Sequence, residues 1–236
     1  QVRAQVVRTM GASCNSKGTA QTGIVKIYGV PASPNVLPSL LLVRDLQCGD
    51  LVELKPGEHK SWSKLRINPF GQMPSMQDGD FCLAEGKAIL RYVANVYAPE
   101  RYGGLDPERK AIIDWALDWC STSFSKHLQG LVLHLMGFAD PPGDQKALNA
   151  DATVGLNTFA QKFLSRSKFV AGDMPPSVAD YRCAVSFWMC GHSTVKAKTG
   201  FDLPPRIRKY VEDFLGAIES KETLDPPDEF LKSKLG

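Results

Sequence analysis

Asn68-Pro69-Phe70-Gly71-Gln72-Met73-Pro74-Ser75-Met76-Gln77-Asp78-Gly79-Asp80, followed after two residues by Leu83-Ala84-Glu85-Gly86-Lys87-Ala88-Ile89-Leu90-Arg91-Tyr92, decides how this chain folds. Ser75-Met76 and Phe81-Cys82-Leu83 are β-prone and flank the turn residues Gln77-Asp78-Gly79-Asp80, a pattern that predicts a hairpin. From Ala84 onward the period changes. Ile89, Val93, Val96 and Tyr97 fall at i, i+4, i+7 and i+8 and would line one face of a helix. Upstream, Ile24-Val25-Lys26-Ile27-Tyr28 reads as a strand closed by Gly29, and Val36 to Leu46 has the apolar density of a helix. Leu51-Val52-Glu53-Leu54 is a second strand, ended by Pro56-Gly57. The expected order is β-α-β-(loop or helix)-β-β-α.

Downstream the character changes. Ala98-Pro99-Glu100-Arg101-Tyr102-Gly103-Gly104-Leu105-Asp106-Pro107 holds prolines and paired glycines, and no strand signal of similar strength follows it. Helices are expected near 107–137, 147–165, 177–191 and 204–219. The division predicted is therefore a tail over residues 1–23, an α/β domain over 24–98, a linker over 99–106, an all-α domain over 107–220 and a C-terminal tail over 221–236. Trp115 and Trp119, spaced i and i+4, face either a core or a cleft. Ser177-x-x-Asp180 ahead of an apolar run is a capping-box pattern with a folding role.

Composition narrows the function classes. The chain has 236 residues, enough for one large or two modest domains, with 43% hydrophobic and 22% charged residues, as in globular proteins. The longest uncharged stretches are broken by Pro31, Pro34 and Pro38, so no transmembrane segment is expected. Net charge is +3, but Arg3, Arg8 and Lys17 stand in the first 22 residues without an acid, leaving a neutral body. Such a body has no basic face for nucleic acid, and a small molecule is the better partner. The six cysteines are scattered without a C-x-x-C pair, which argues against a zinc ribbon or disulfide scaffold and for a reducing compartment such as the cytoplasm. In the tail, Met10-Gly11-Ala12-Ser13-Cys14-Asn15-Ser16 approaches a myristoylation pattern, with Cys14 able to take a second acyl chain; a flexible or organelle-targeting leader is the alternative.

The phosphate loop, the dinucleotide fingerprint, H-E-x-x-H and G-x-S-x-G are all missing from the sequence. His127 and His134 lie seven apart without a companion Cys or carboxylate cluster, which suits scaffold rather than a metal centre. What remains is the opening string. With Tyr28-Gly29, Ser33-Pro34-Asn35-Val36 and Gly57-Glu58-His59-Lys60-Ser61 before it, and Phe169-Val170-Ala171-Gly172-Asp173 and Ser177-Val178-Ala179-Asp180-Tyr181 after it, the chain resembles a glutathione transferase over about residues 24–219. Ser33 near the end of the first strand and the Gly57 to Ser61 string resemble the serine-type phi and theta enzymes.

The resemblance implies a thioredoxin-like N-terminal domain that binds glutathione and an all-helical C-terminal domain, matching the division read from pattern. It implies a homodimer, no cofactor beyond glutathione as co-substrate, and addition of the glutathione thiolate to a small hydrophobic electrophile. Peroxide reduction would use the same thiolate. In this reading Ser33 donates a hydrogen bond to the thiolate. A bond to a charged group contributes about 1.5–3 kcal/mol, and lowering a thiol pKa by two units takes about 2.7 kcal/mol, so one donor nearly suffices. His59 and Lys60 would meet the glycyl carboxylate, Gln72 and the Met73 backbone the middle, and Glu85 with Gly86 the γ-glutamyl end. Pro74 would be a cis proline that turns the Met73 backbone to the ligand. The electrophile would lie against Trp115 and Trp119.

Each residue also has a plainer reading: Ser33 as a helix N-cap before Pro34, His59-Lys60 as a solvated loop, Glu85 as a first-turn helix charge. Two positions depart from the family pattern, Gly86 where a serine is usual and Pro38 where a residue with an N–H is usual. They motivate the alternative of a non-catalytic binding or protein-interaction module of the same fold.

Overall fold

The computed structural model describes residues 24–173 and 175–235; the acylation pattern around Gly11 and Cys14 lies outside them. The chain forms two compact units that divide between Val93 and Ala94.

The first unit starts with β1 (Val25–Gly29), in which Val25 and Ile27 are buried and Lys26 is exposed. Helix α1 (Leu37–Asp45) follows and is buried from Leu37 to Val43. Pro38 lies in the first helical turn. Its missing N–H has no helical acceptor there, so it costs no hydrogen bond. On either side of it the Leu37 N–H bonds the Ser33 carbonyl at 2.9 Å and the Leu40 N–H the Val36 carbonyl at 3.1 Å. The helix starts at Leu37, one position later than the apolar pattern suggests, and takes Pro38 into its first turn. Strand β2 (Gly49–Glu53) pairs parallel with β1. A 3-10 turn (Glu58–Lys60) and the short α2 (Trp62–Leu65) lead to β3 (Ser75–Asp78) and β4 (Phe81–Ala84). The last two form the expected antiparallel hairpin, with Met76 opposite Leu83. The sheet order is β2-β1-β3-β4 with β3 antiparallel to β1, the thioredoxin-like arrangement. Helix α3 (Gly86–Tyr97) buries Ile89, Leu90, Val93 and Ala94. Val96, expected on that face, is 52% exposed, because the buried stripe is centred on the 89/93 and 90/94 rows.

The second unit is helical. A 3-10 turn (Pro99–Tyr102) occupies half of the expected linker, and α4 (Pro107–Ser121) is capped by Asp106, which accepts from the Glu108 and Arg109 N–H groups. The continuous helix expected to residue 137 is interrupted. Ser121 and Thr122 hydroxyls bond back to the Leu117 and Asp118 carbonyls, which competes with the helical ladder, and α5 (Ser125–Leu128) with a π turn (Gln129–Leu133) follows. Next come α6 (Gln145–Phe163), α7 (Val178–Cys190), α8 (Ser193–Thr199), which the sequence reading lacked, and α9 (Pro205–Ala217). Nearly all of α7 is buried, and it packs against α4 and α9. Phe159, Phe187, Phe124 and Tyr210 pack ring to ring within this core.

Residues 221–235 are not a tail. They form a 3-10 turn (Lys221–Leu224) and α10 (Asp225–Leu235), with Leu224 and Leu231 buried. Pro226 and Pro227 lie in the first turn of α10, where prolines are tolerated. Asp228 of α10 accepts from His192 Nε2 at 2.8 Å and from Lys232 at 2.5 Å, while His192 Nδ1 meets the Thr194 hydroxyl at 2.7 Å.

Candidate glutathione site

The site predicted in the first unit is built from three loops. Ser33 lies in the turn between β1 and α1 and is partly buried. Its carbonyl accepts from the Val36 and Leu37 N–H groups at 3.1 and 2.9 Å, so the backbone of Ser33 opens the helix. Its hydroxyl does not cap: the N-cap position is Val36, and α1 has no side-chain cap. The N-cap reading of Ser33 therefore does not describe its side chain. Tyr28, at the end of the same strand, has its hydroxyl committed to Gln77 Oε1 at 2.9 Å, and burial pushes that phenol upward, keeping it neutral.

The second loop carries the proline. The Met73-Pro74 bond is cis, as expected, and Pro74 is buried. Gly86, first residue of α3, closes on both: a methyl group placed on it would lie 3.3 Å from the Asn35 carbonyl oxygen and 3.6 Å from Pro74 Cγ. The turn after Ser33, Pro74 and the start of α3 are therefore neighbours. Glu85, just before α3, has a left-handed backbone at φ 70° and an exposed side chain.

The third loop is the 3-10 turn with His59 and Lys60. Gly71, at φ 59°, approaches it closely; a methyl group there would lie 3.2 Å from Leu65 Cδ2, 3.6 Å from Lys60 Cγ and 3.8 Å from the His59 carbonyl. Both the left-handed backbone and the crowding favour glycine. His59 and Lys60 thus stand beside the segment that carries Gln72. Gln72 and Lys60 are exposed, His59 and Met73 half-buried. Among the described residues, the side chains of Ser33, His59, Lys60, Gln72 and Glu85 make no hydrogen bond or ion pair.

One residue of this site went unassigned in the sequence reading. Asn68 is 3% exposed, donates from Nδ2 to the Gln72 carbonyl at 2.8 Å and accepts at Oδ1 from the Phe70 N–H at 3.1 Å. A buried asparagine must spend its amide on specific partners, and an Asn-Pro pair followed by Gly is the signal that could have found it.

In the second unit, Trp119 is half-buried and packs on Phe124 and Phe159, with ring centroids 5.6 and 5.2 Å away, which is core packing. Trp115 is 52% exposed, edge-on to Phe163, with Lys162 Nζ 4.6 Å from its ring centre. A surface groove of about 490 Å³ lies nearby in sequence, lined by Ile112, Lys162, Phe163, Arg166 and Val170 among others, and neither tryptophan lines it. His127 bonds Asp151 at 3.0 Å, and no group of three or more possible metal ligands occurs among the described residues.

A thioredoxin-like sheet whose cis-proline loop meets a serine turn and a helix start defines a thioredoxin-like binding domain joined to a helical one. Comparison with known proteins supplies the family. The model of the glutathione S-transferase N-terminal domain matches residues 25–95. Glutathione S-transferase F9 of Arabidopsis thaliana is 33% identical over 169 residues, covering 66% of this chain and 76% of that protein. Glutathione S-transferase 3 of Zea mays is 33% identical over 159 residues, covering 63% of this chain and 71% of its own length. Among solved structures, poplar glutathione transferase F1 aligns with a TM-score of 0.68 at 25% identity, over 89% of this chain and 99% of that one. The chain belongs to the glutathione S-transferase family.

Proposed function

We propose that this protein conjugates the thiolate of glutathione to small hydrophobic electrophiles, with Ser33 as the catalytic donor. The observation that carries the reading is the Ser33 hydroxyl, uncommitted to a cap, in the turn that opens α1 and whose Asn35 carbonyl lies against Gly86, itself next to Pro74. Glutathione offers a carboxylate at each end, an ammonium at one, and a thiol in the middle. His59 and Lys60 suit the glycyl carboxylate, Gln72 and the Met73 main chain suit the peptide middle, and Glu85 suits the ammonium. The N–H groups at the start of α3 suit the γ-glutamyl carboxylate.

The chemistry then runs as follows. The thiol proton leaves to solvent, the Ser33 O–H donates to the resulting thiolate, and the N-terminal end of α1 adds about 0.3–1 kcal/mol for the anion. The thiolate attacks the electrophilic carbon of an aryl halide, a C–S bond forms and halide departs with its electron pair. No separate general base is needed once the thiol pKa is lowered. Reduction of organic peroxides by the same thiolate belongs to the same proposal, as do an electrophile contact at the exposed Trp115, a homodimer and a cytoplasmic location. No described helix is long and apolar enough to cross a membrane.

Gly86 favours a second reading, a binding module without turnover, since it supplies no hydroxyl to the γ-glutamyl end. The ultraviolet absorbance of bound glutathione against pH, in wild type and Ser33→Ala, tests both. A thiolate band well below the ordinary thiol value of about 8.5, moving upward in Ser33→Ala, supports catalysis. Saturable binding with no such band, and no aryl-halide turnover, supports the module.

A further inference from the structure

The peptide unit between Gln72 and Met73 is the part of the site that the fold holds from behind. A trans peptide is planar, with its C=O and N–H pointing in opposite directions. The carbonyl of this unit belongs to Gln72 and receives the Asn68 Nδ2 hydrogen at 2.8 Å. Asn68 is 3% exposed, so that carbonyl is directed into the protein. The N–H of the same unit belongs to Met73 and must then be directed the other way, away from Asn68. Asn68 cannot easily turn away. Its other amide atom, Oδ1, accepts the Phe70 N–H at 3.1 Å, its own N–H donates to the Lys64 carbonyl at 2.9 Å, and its carbonyl accepts from Gly71 at 3.0 Å. Two bonds thus fix the side-chain amide in one orientation, and two more fix the backbone that carries it.

We propose that Asn68 is a positioning residue for glutathione: by holding the Gln72 carbonyl inward it aims the Met73 N–H at the carbonyl of the ligand's cysteinyl residue. The inference rests on the glutathione reading of this site and adds to it a buried residue that need not touch the ligand. The donor nitrogen is the essential atom. Asn68→Asp keeps the shape and the acceptor for Phe70 but, when ionised, puts an oxygen against the Gln72 carbonyl, and the pair repels. When protonated, the same carboxyl can again donate. Burial raises the pKa of such a carboxyl, which brings the change into an accessible pH range.

The test is calorimetric binding of S-methylglutathione, which has no ionisable thiol, between about pH 5 and about pH 8. Wild type, measured at the same pH values, is the reference at each point. Asn68→Asp should bind at least about tenfold more weakly near pH 8, as expected for a lost hydrogen bond to a fixed polar group, and recover to within about threefold near pH 5. Asn68→Ala should be weak throughout. A purely structural role would not produce recovery in acid.

Wild-type-like affinity of Asn68→Asp near pH 8, or equal weakness at both ends of the range, overturns the proposal. So does failure of Asn68→Asp to fold near pH 5, which would make Asn68 a residue of the fold alone. If Asn68→Ala does not fold, the acid recovery of Asn68→Asp still decides. Absence of any wild-type binding would remove the glutathione reading itself, and this inference with it, whereas wild-type binding with an indifferent Asn68→Asp would remove only the inference.

Discussion

Asp180 in the second unit and the Ser33 loop in the first spend their polar groups in opposite ways. Each carboxylate oxygen of Asp180 accepts two hydrogen bonds: Oδ1 from the Val170 N–H at 3.0 Å and the Tyr210 hydroxyl at 2.7 Å, Oδ2 from the Ser177 N–H and hydroxyl, both at 2.7 Å. These donors link the turn before α7, the loop at Val170 and helix α9. In the first unit the saturated group is Asn68, while the side chains of Ser33, His59, Lys60, Gln72 and Glu85 make no such bonds among the described residues. The contrast separates polar chemistry that closes a fold from polar chemistry that is held open for a ligand, and it shows why the second kind is found on loops braced by the first.

Burial raises the Asp180 carboxyl, and the hydroxyls of Tyr210 and Ser177 with two backbone N–H groups oppose that rise without cancelling it. A folded value above the unfolded 3.8 means that this group favours the fold most in acid, and that the advantage fades as pH climbs through the folded value. Acid unfolding should therefore not originate here.

The sharpest way to break the contrast is Asp180→Ala. It orphans the Val170 and Ser177 N–H groups and the Tyr210 hydroxyl, at about 1–3 kcal/mol each, so a loss of at least about 3 kcal/mol is expected. At about 2–4 °C per kcal/mol the melting temperature should fall by roughly 6 °C or more, and a fall under about 3 °C would show that the network is replaceable. Ser33→Ala should do the reverse. Conjugation of an aryl halide should drop by about 10- to 150-fold in kcat/KM, the equivalent of one charge-assisted bond, with a melting temperature within about 1 °C of wild type. Loss of stability in place of activity would make Ser33 a fold residue.

Gly86→Ser is the next smaller change. Its Cβ would sit 3.3 Å from the Asn35 carbonyl, so the Ser33 turn must give by a few tenths of an ångström. A cost of about 1 kcal/mol, or roughly 2–4 °C, is expected, together with a lower kcat as Ser33 shifts. Tighter glutathione binding with unchanged melting and kcat would mean that this turn adapts freely. The smallest effect belongs to Arg44→Ala. The exposed Arg44 to Asp50 pair, 2.7 Å apart, should change stability by less than about 1 kcal/mol, measured by urea unfolding. A larger loss would mean that it carries fold-closing weight like Asp180.

Much of the first unit could be read from local signals. Gly79 between two β-prone runs gave the hairpin, and the ordered strings from Ser33 to Asp180 gave the family, because turns and ligand loops constrain residue identity directly. Features that depend on tertiary partners could not be read in this way. The break of α4 at Ser121 comes from hydroxyls choosing backbone acceptors, the exposure of Val96 from where α3 meets its neighbours, and the helix over a stretch expected to be a tail from the burial of Leu224 and Leu231. Asn68 was present in the quoted motif. Its function was hidden because the decisive fact, the partner of its amide nitrogen, is a matter of geometry.

The terminal helix α10 bears on how this protein should be handled. Cutting the chain after residue 220, reasonable for a loose end, would remove Leu224 and Leu231 from the core and strip His192 of the Asp228 carboxylate. The expected product is a sticky, poorly soluble species rather than a trimmed enzyme, and a purification tag is better placed beyond Leu235 than spliced in at 221.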